Sequence, residues 1–240
     1  MQSLISLTFD DGLRCQFEKA VPILDGYGIP ATFFLIANQD STHESWDHKN
    51  EWWKIDWCED DIANLKKLIN DGHEIGSHSV THHLQRMQAN PLAEARESRE
   101  SIERWLETKV TSFCYPYYRS HAYLADAVKN AGYEQARGGG APPQYVPRAS
   151  YYAVPGDPSF DRFNVDCRQI SANDRVSEWV RPGCWHILTF HAIGNQRDGW
   201  EPISKDQFAA LMAELAEYRN AGTVEVLTFK SGAARLQITS

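Results

Sequence analysis

Short stretches, most of them rich in apolar residues, recur along this chain of 240 residues and constrain it more than any other feature. They lie at 3–9, 30–37, 73–77, 110–115, 133–137, 185–190 and 224–229. A strand with no polar face is covered on both sides, the condition of a parallel sheet flanked by helices. The stretches between them carry helical signals. Residues 16–27 are closed by Gly26 and Gly28, and 60–70 set Ile62, Leu65, Leu68 and Ile69 on one face. Pro91 opens a helix that reaches Leu106, 122–131 ends at Gly132, and 204–220 turns Phe208, Leu211, Met212, Leu215 and Tyr218 inward. A further helix is expected over 173–180. About seven or eight strands alternating with helices imply right-handed crossovers and an α/β fold, with a barrel fitting better than an open sheet. No Gly-rich phosphate loop follows the first strand, so a dinucleotide-binding sheet has little support.

Polar residues gather just past the ends of these strands, where barrel enzymes build their sites. The first run stops in the carboxylate pair Asp10 and Asp11. The third leads into Gly72-His73-Glu74-Ile75-Gly76-Ser77-His78-Ser79-Val80-Thr81-His82-His83. Three residues separate His78 from His82, so both imidazoles can reach one point, and the acid pair offers a third ligand. Two histidines and a carboxylate form a facial set for zinc or a similar divalent metal, with positions left open for water and substrate. Pro116-Tyr117 and His191 follow the fourth and the sixth of the better-defined strands.

The formal net charge of -8 argues against nucleic acid and anionic membrane as partners, because phosphate binding needs concentrated Lys and Arg. No apolar run approaches the roughly 20 residues that span a bilayer. The first residues lack a basic region, a long apolar core and a cleavage site, so a cytoplasmic protein is expected, or a secreted one whose leader has been removed. Five cysteines, Cys15, Cys58, Cys114, Cys167 and Cys184, show no C-x-x-C spacing and suggest reduced thiols. The length suits one domain over residues 1–240, since single α/β barrels run to roughly 200–250 residues.

Asp-Asp-Gly alone would be a turn, and only the paired histidines make it a metal candidate. His73 and His83 are not expected as ligands, and His121 and His186 read as structural. The stretch 38–57 is long for a connection and holds Trp46, Trp52, Trp53 and Trp57, which can pin the loop or stack on a sugar. Trp200, shortly after His191, can wall the site or cap the barrel. Residues 138–163, rich in Gly, Pro and Tyr, give no clear strands.

The ordered segments Thr8-Phe9-Asp10-Asp11-Gly12, His78-Ser79-Val80-Thr81-His82, Tyr115-Pro116-Tyr117 and Leu188-Thr189-Phe190-His191 resemble the motifs of the polysaccharide deacetylase family, also called the NodB-homology or carbohydrate esterase family 4 domain. The resemblance implies a distorted (β/α) barrel of seven or eight strands that removes acetyl groups from saccharides, usually N-acetylated and also O-acetylated ones. It implies Zn²⁺, or another divalent metal such as Co²⁺ or Ni²⁺, held by Asp11, His78 and His82. It makes Asp10 the general base for a metal-activated water, His191 the acid that protonates the leaving group, and the Tyr117 backbone N–H a donor to the oxyanion. Pro116, Tyr117 and Leu188, with Trp200, are the expected substrate contacts. The partner is then an acetylated oligo- or polysaccharide.

Two departures stand out. Members of the family often carry, two residues before the motif-three proline, an arginine that contacts the base, where this chain has Cys114; Arg119, Arg137 or Arg148 can supply the charge. The fourth motif, an aspartate that orients the catalytic histidine, is not recognisable, and Asp166 is a substitute. Alternative readings are a hydrolase of a small non-sugar amide or cyclic ureide on the same barrel, and a non-catalytic sugar-binding relic. Retention of Asp10, Asp11, His78, His82 and His191 argues against the relic.

Overall fold

The computed structural model describes residues 1–37, 53–138, 152–153 and 160–237. Trp46, Trp52, Arg148 and most of 138–163 lie outside them. The chain order is β1 (Ser3–Phe9), a π-helical turn (Gln16–Ala20) running into α1 (Val21–Tyr27), β2 (Thr32–Leu35), α2 (Glu59–Asn70), β3 (Glu74–Ser77), α3 (Leu84–Ala89), α4 (Pro91–Leu106) and β4 (Ser112–Cys114). It continues through α5 (Ala122–Asn130), β5 (Gln135–Arg137), β6 (Tyr152–Ala153), β7 (Arg168–Gln169), β8 (Trp185–Phe190), α6 (Lys205–Asn220), β9 (Val224–Val226) and α7 (Phe229–Gln237).

Strands β5, β4, β3, β2, β1 and β8 are neighbours in that order and all run parallel. β7 joins β8 in parallel. Just before β7, Val165 bridges Arg137, donating its N–H to the Ala136 carbonyl and accepting from Gly138 N, each at 3.0 Å. The segment from Val165 through β7 therefore links β5 to β8 and closes the ring. One edge of β1 is shared: β9 pairs with Ser3 to Ile5, whereas β2 pairs only with Thr8 and Phe9. That division distorts the barrel, as expected for the fold class.

Alternation along β1 sets the two layers of the core. Ile5, Leu7 and Phe9 pack outward beneath the helices, Phe9 stacking on Phe33 and Phe190 at 4.9 and 5.2 Å between centroids and meeting the edge of Phe208 from α6. Ser6 and Thr8 turn inward, where Trp185 Nε1 donates to Ser6 Oγ and Thr8 Oγ1 meets Thr189 Oγ1. Asp10 continues the inward series, so a residue facing the barrel interior emerges at its mouth. At the end where β8 begins, α7 acts as the plug: Phe229, Ala233 and Leu236 pack with Phe34, Trp185 and Ile187. A Cβ at Gly232 would lie 2.5 Å from the Trp185 ring, so only glycine permits this approach.

Three expectations on secondary structure need correction. The last strand ends at Val226 rather than 229, and Phe229 opens α7. The helix expected over 173–180 shrinks to a 3-10 turn, Val176–Glu178. There the Asp174 carboxylate accepts from Ser171 N and Oγ and from Arg168, local bonds that compete with a helix. In 16–27, Pro22 offers no N–H and crowds the preceding turn, and the chain answers with a wider one, Val21 N donating to Gln16 O five residues back.

Candidate active site

Loops at the C-terminal ends of β1, β3, β4 and β8 build one cluster. Asp11 follows β1 in left-handed backbone, φ 75°. His78 follows β3, its N–H bonded to Leu35 O at 2.8 Å. The chain then turns sharply through Ser79 (φ 68°) and His82 (φ 55°), and Ser79 Oγ accepts from His82 N at 2.9 Å. Glu94, buried on α4, holds the tip of this loop from outside: its carboxylate accepts from Val80 N, Thr81 N and Thr81 Oγ1 at 3.0–3.2 Å. Among the described residues, eight non-glycines have positive φ, and Asp11, Ser79, His82, Tyr117, Tyr118 and Glu201 are six of them. Such backbone costs of order 1–3 kcal/mol per residue, and its concentration here marks a site held against strain.

The Nε2 atoms of His78 and His82 each lie 3.6 Å from Asp11 Oδ1, and one ligand atom from each of the three residues falls within 4.8 Å of the others. Tetrahedral ligands at ~2.0–2.1 Å from zinc sit about 3.4 Å apart, so this spacing fits a divalent metal. The His78 tautomer fits as well, because Nδ1 donates to Cys114 O at 2.9 Å and leaves Nε2 as the lone-pair donor. Burial, with the neighbouring charge of Asp10, pushes the Asp11 carboxyl well above its usual range, a state that a bound cation relieves. A second set, Asp10, His78 and Cys114, is also close enough to hold a metal. It is the poorer one, since Arg137 occupies Asp10 Oδ2 and burial pushes the Cys114 thiol far up, keeping it protonated.

Asp10 is buried beside this cluster. Its Oδ2 accepts from Arg137 Nη2, while Oδ1 has no hydrogen-bond partner. Arg137 is completely buried; its Nη1 donates to Thr189 Oγ1, and its guanidinium lies 5.3 Å from the Phe34 ring centroid and 5.5 Å from that of Tyr118. Burial alone would raise the Asp10 pKa, but the Arg137 charge, helped by His78 and His191, outweighs it and keeps the carboxylate ionised. Of the three arginines that could replace the one missing at position 114, the structure brings Arg137 to the base.

His191 follows β8 directly, with Nε2 3.9 Å from Asp10 Oδ2 and Nδ1 3.7 Å from Glu201 Oε2. Burial pushes the ring down to about 4, with Asp10 pulling upward and Arg137 and His78 adding to the fall. Among the described residues, Asp10 and Glu201 are the carboxylates within 4 Å of the ring nitrogens, and Asp166, exposed beside Cys167, is not at this position. Glu201 is not among the residues expected from the sequence, although it follows Trp200, which is.

Pro116 is buried and starts the turn that exposes Tyr117 (φ 58°), whose ring lies 4.6 Å from that of His82. The turn's own bonds run from Tyr118 N to Tyr115 O and from Arg119 N to Pro116 O, leaving Tyr117 N outside them. Trp200 is 60% exposed, one residue before Glu201. Leu188 is not brought to the site. It sits on the outward face of β8 in the helix-covered core, fully buried, because alternation gives the inward positions to Ile187 and Thr189.

The remaining aromatic groups sort plainly. Trp57 is buried, donates to Ile36 O at 2.9 Å and packs on Trp105, so it belongs to the core. His73 accepts from Ala31 N and meets Asp25, and His83 caps α3. His186 is buried in β8, whereas His121 is exposed and stacks on Tyr123.

Among the described residues, no helix is long and apolar enough to cross a membrane. The protein YxkH of Bacillus subtilis is 24% identical over 139 residues, covering 55% of this chain; the chain spans less than half of that relative, 43%. The Xyl-CE4 domain of a multidomain xylanase from the hindgut metagenome of Trinervitermes trinervoides superposes with a TM-score of 0.60 at 18% identity, over 98% of this chain and 91% of that one. A family 4 acetyl xylan esterase from Clostridium thermocellum, in complex with a cobalt ion, does so at 0.58 and 19%, over 95% and 89%. These likenesses establish the distorted barrel. The polysaccharide deacetylase family model matches residues 1–136, from β1 into β5, a span that takes in Asp10, Asp11, His78, His82 and the Tyr115-Pro116-Tyr117 turn. By that match the chain belongs to the polysaccharide deacetylase family.

Proposed function

We propose that this chain is a metal-dependent hydrolase that removes acetyl groups from N-acetylated saccharides, with acetyl esters as a second class of substrate. One observation carries the reading: three good ligand atoms, those of Asp11, His78 and His82, converge at the barrel mouth beside an ionised Asp10 and a buried His191. When bound by Asp11, His78 and His82, a divalent metal supplies a Lewis acid that polarises the acetyl carbonyl and acidifies water. Arg137 keeps Asp10 charged, and the unpartnered Oδ1 accepts the proton of the attacking water. The Tyr117 N–H is the candidate donor to the oxygen that gains charge. His191, neutral at rest with Nε2 3.9 Å from Asp10 Oδ2, first takes up the proton that Asp10 has drawn from the water and then hands it to the leaving nitrogen or oxygen, returning to the neutral ring. Tyr117 and Trp200, both exposed, offer faces to a sugar ring.

The test is acetate release by zinc-loaded protein from N-acetyl chitooligosaccharides, peptidoglycan fragments and acetylated xylan, repeated with cobalt and nickel. The acetyl xylan esterase among the solved likenesses supports including esters and cobalt. Release stopped by a chelator and restored by metal supports the proposal. Zinc bound with no acetate from any substrate would overturn it in favour of a hydrolase of small non-sugar amides or ureides.

A further inference from the structure

The loop from Ala192 to Ile203 is built more firmly than a connection requires. Ala192 N donates to Trp200 O and Ile203 N to Ala192 O, both at 3.0 Å, and Gly194 N donates to Ile203 O at 2.7 Å. Lys19 pairs with Asp198, and Cys15 Sγ donates to Asp198 O, tying the loop to the segment after β1. A Cβ on Gly199 would stand 2.8 Å from Leu13 Cδ1, so the loop is pressed against its neighbour. Within this frame Glu201 takes left-handed backbone, φ 45°, which only glycine adopts without cost. Its carboxylate Oε2 stands 3.7 Å from His191 Nδ1, a buried atom that has no hydrogen-bond partner.

We infer that Glu201 is a positioning residue for His191: its carboxylate accepts a hydrogen bond from Nδ1–H, fixes the tautomer and ring angle, and so presents Nε2 to the reacting centre. The inference rests on the reading of His191 as the acid. Closing the 3.7 Å gap to a hydrogen bond needs only a side-chain adjustment, and the Glu201 side chain, 40% exposed, has room for it. A neutral ring with its proton on Nδ1 offers a lone pair at Nε2, on the side of Asp10. Protonated, the same ring donates from Nε2 while Glu201 balances its charge. Glu201 thereby fills, from a loop after β8, the place for which Asp166 was the sequence candidate.

The test compares zinc-loaded wild type with Glu201→Ala, Glu201→Gln and Glu201→Asp by kinetics on the best acetylated substrate, by bound zinc, and by ¹⁵N NMR of the histidine rings. The His191 signals are assigned by their loss in His191→Gln. Expected are a single Nδ1–H tautomer in the wild type, a mixed or Nε2–H signal in Glu201→Ala, and unchanged zinc. With them should come a fall of about 10- to 100-fold in kcat with KM within about twofold, partly rescued by Glu201→Asp. An unchanged His191 tautomer in Glu201→Ala overturns the inference, whatever the activity. Loss of zinc in that variant overturns it too, by making Glu201 a ligand. A wild type inactive on every acetylated substrate would count against the proposed reaction, while the NMR comparison would still decide the role of Glu201.

Discussion

Arg137, the last residue of β5, reaches across the barrel interior to pair with Asp10 at the end of β1, and both side chains are closed to solvent. Its partner in the β4–β5 register is Cys114, the position at which an arginine was sought. The charge beside the base has therefore moved one strand over at the same level. Arg137→Gln should destabilise the protein by about 3–5 kcal/mol, because it strands a buried carboxylate. Urea unfolding measures this, and the exchange Cys114→Arg with Arg137→Cys should recover part of the loss. No recovery would mean that the guanidinium cannot reach Asp10 from β4.

Metal retention and turnover should separate. Asp11→Ala and His78→Ala should emerge without bound zinc after dialysis, whereas Asp10→Asn should keep it and lose about 10²–10⁴-fold in kcat. Elemental analysis beside initial rates checks both, and full activity in Asp10→Asn would remove it as the base.

Glu94 offers a test of the ligand loop that leaves every ligand in place. Glu94→Ala removes the acceptor for three donors at Val80 and Thr81, and should cost about 1–3 kcal/mol of stability. Zinc affinity should fall about 10- to 100-fold as His78 and His82 lose their alignment, readable by competition with a chromophoric chelator.

Acid sensitivity has an identifiable contributor. Burial, with the charges of Arg168 and Arg181, pushes His186 down to about 4, below its ordinary 6.5. The unfolded chain binds this proton first, so stability falls as pH drops from about 6.5 to about 4 and is fully present above that window. The contribution is of order 3 kcal/mol. The stability difference between wild type and His186→Gln should change across the window in that sense, and a difference independent of pH would show that the ring titrates normally.

Gly232→Ala should destabilise by about 1–3 kcal/mol through overpacking of α7 on Trp185, seen as a lower melting temperature with a blue or red shift of the Trp emission. An unchanged melting temperature would mean that α7 docks loosely.

Much of the barrel was legible because buried parallel strands announce themselves by continuous apolar sequence and end where polar residues begin. Asp10, Asp11, His78 and His82 were found by that signal together with their spacing. The 224–229 run misled because its apolar residues continue past Val226 to Leu227 and Phe229, yet Phe229, Ala233 and Leu236 recur at helical spacing and belong to α7. Leu188 misled because a motif names neighbours without saying which faces inward. Arg137 could not be chosen over Arg119 without the β4–β5 register, and Glu201 depends on the path of a loop whose turns no period encodes.

The pairing of Cys114 with Arg137 bears on how such hydrolases are sought. If the exchange of Cys114 and Arg137 restores the pair, a guanidinium at either position of this rung serves the same carboxylate, and a two-site exchange passes it between strands without altering the charge that the base feels. Ancestry searches keyed to one fixed arginine would read this chain as decayed. A search for correlated change at the two positions would recognise one device in two housings.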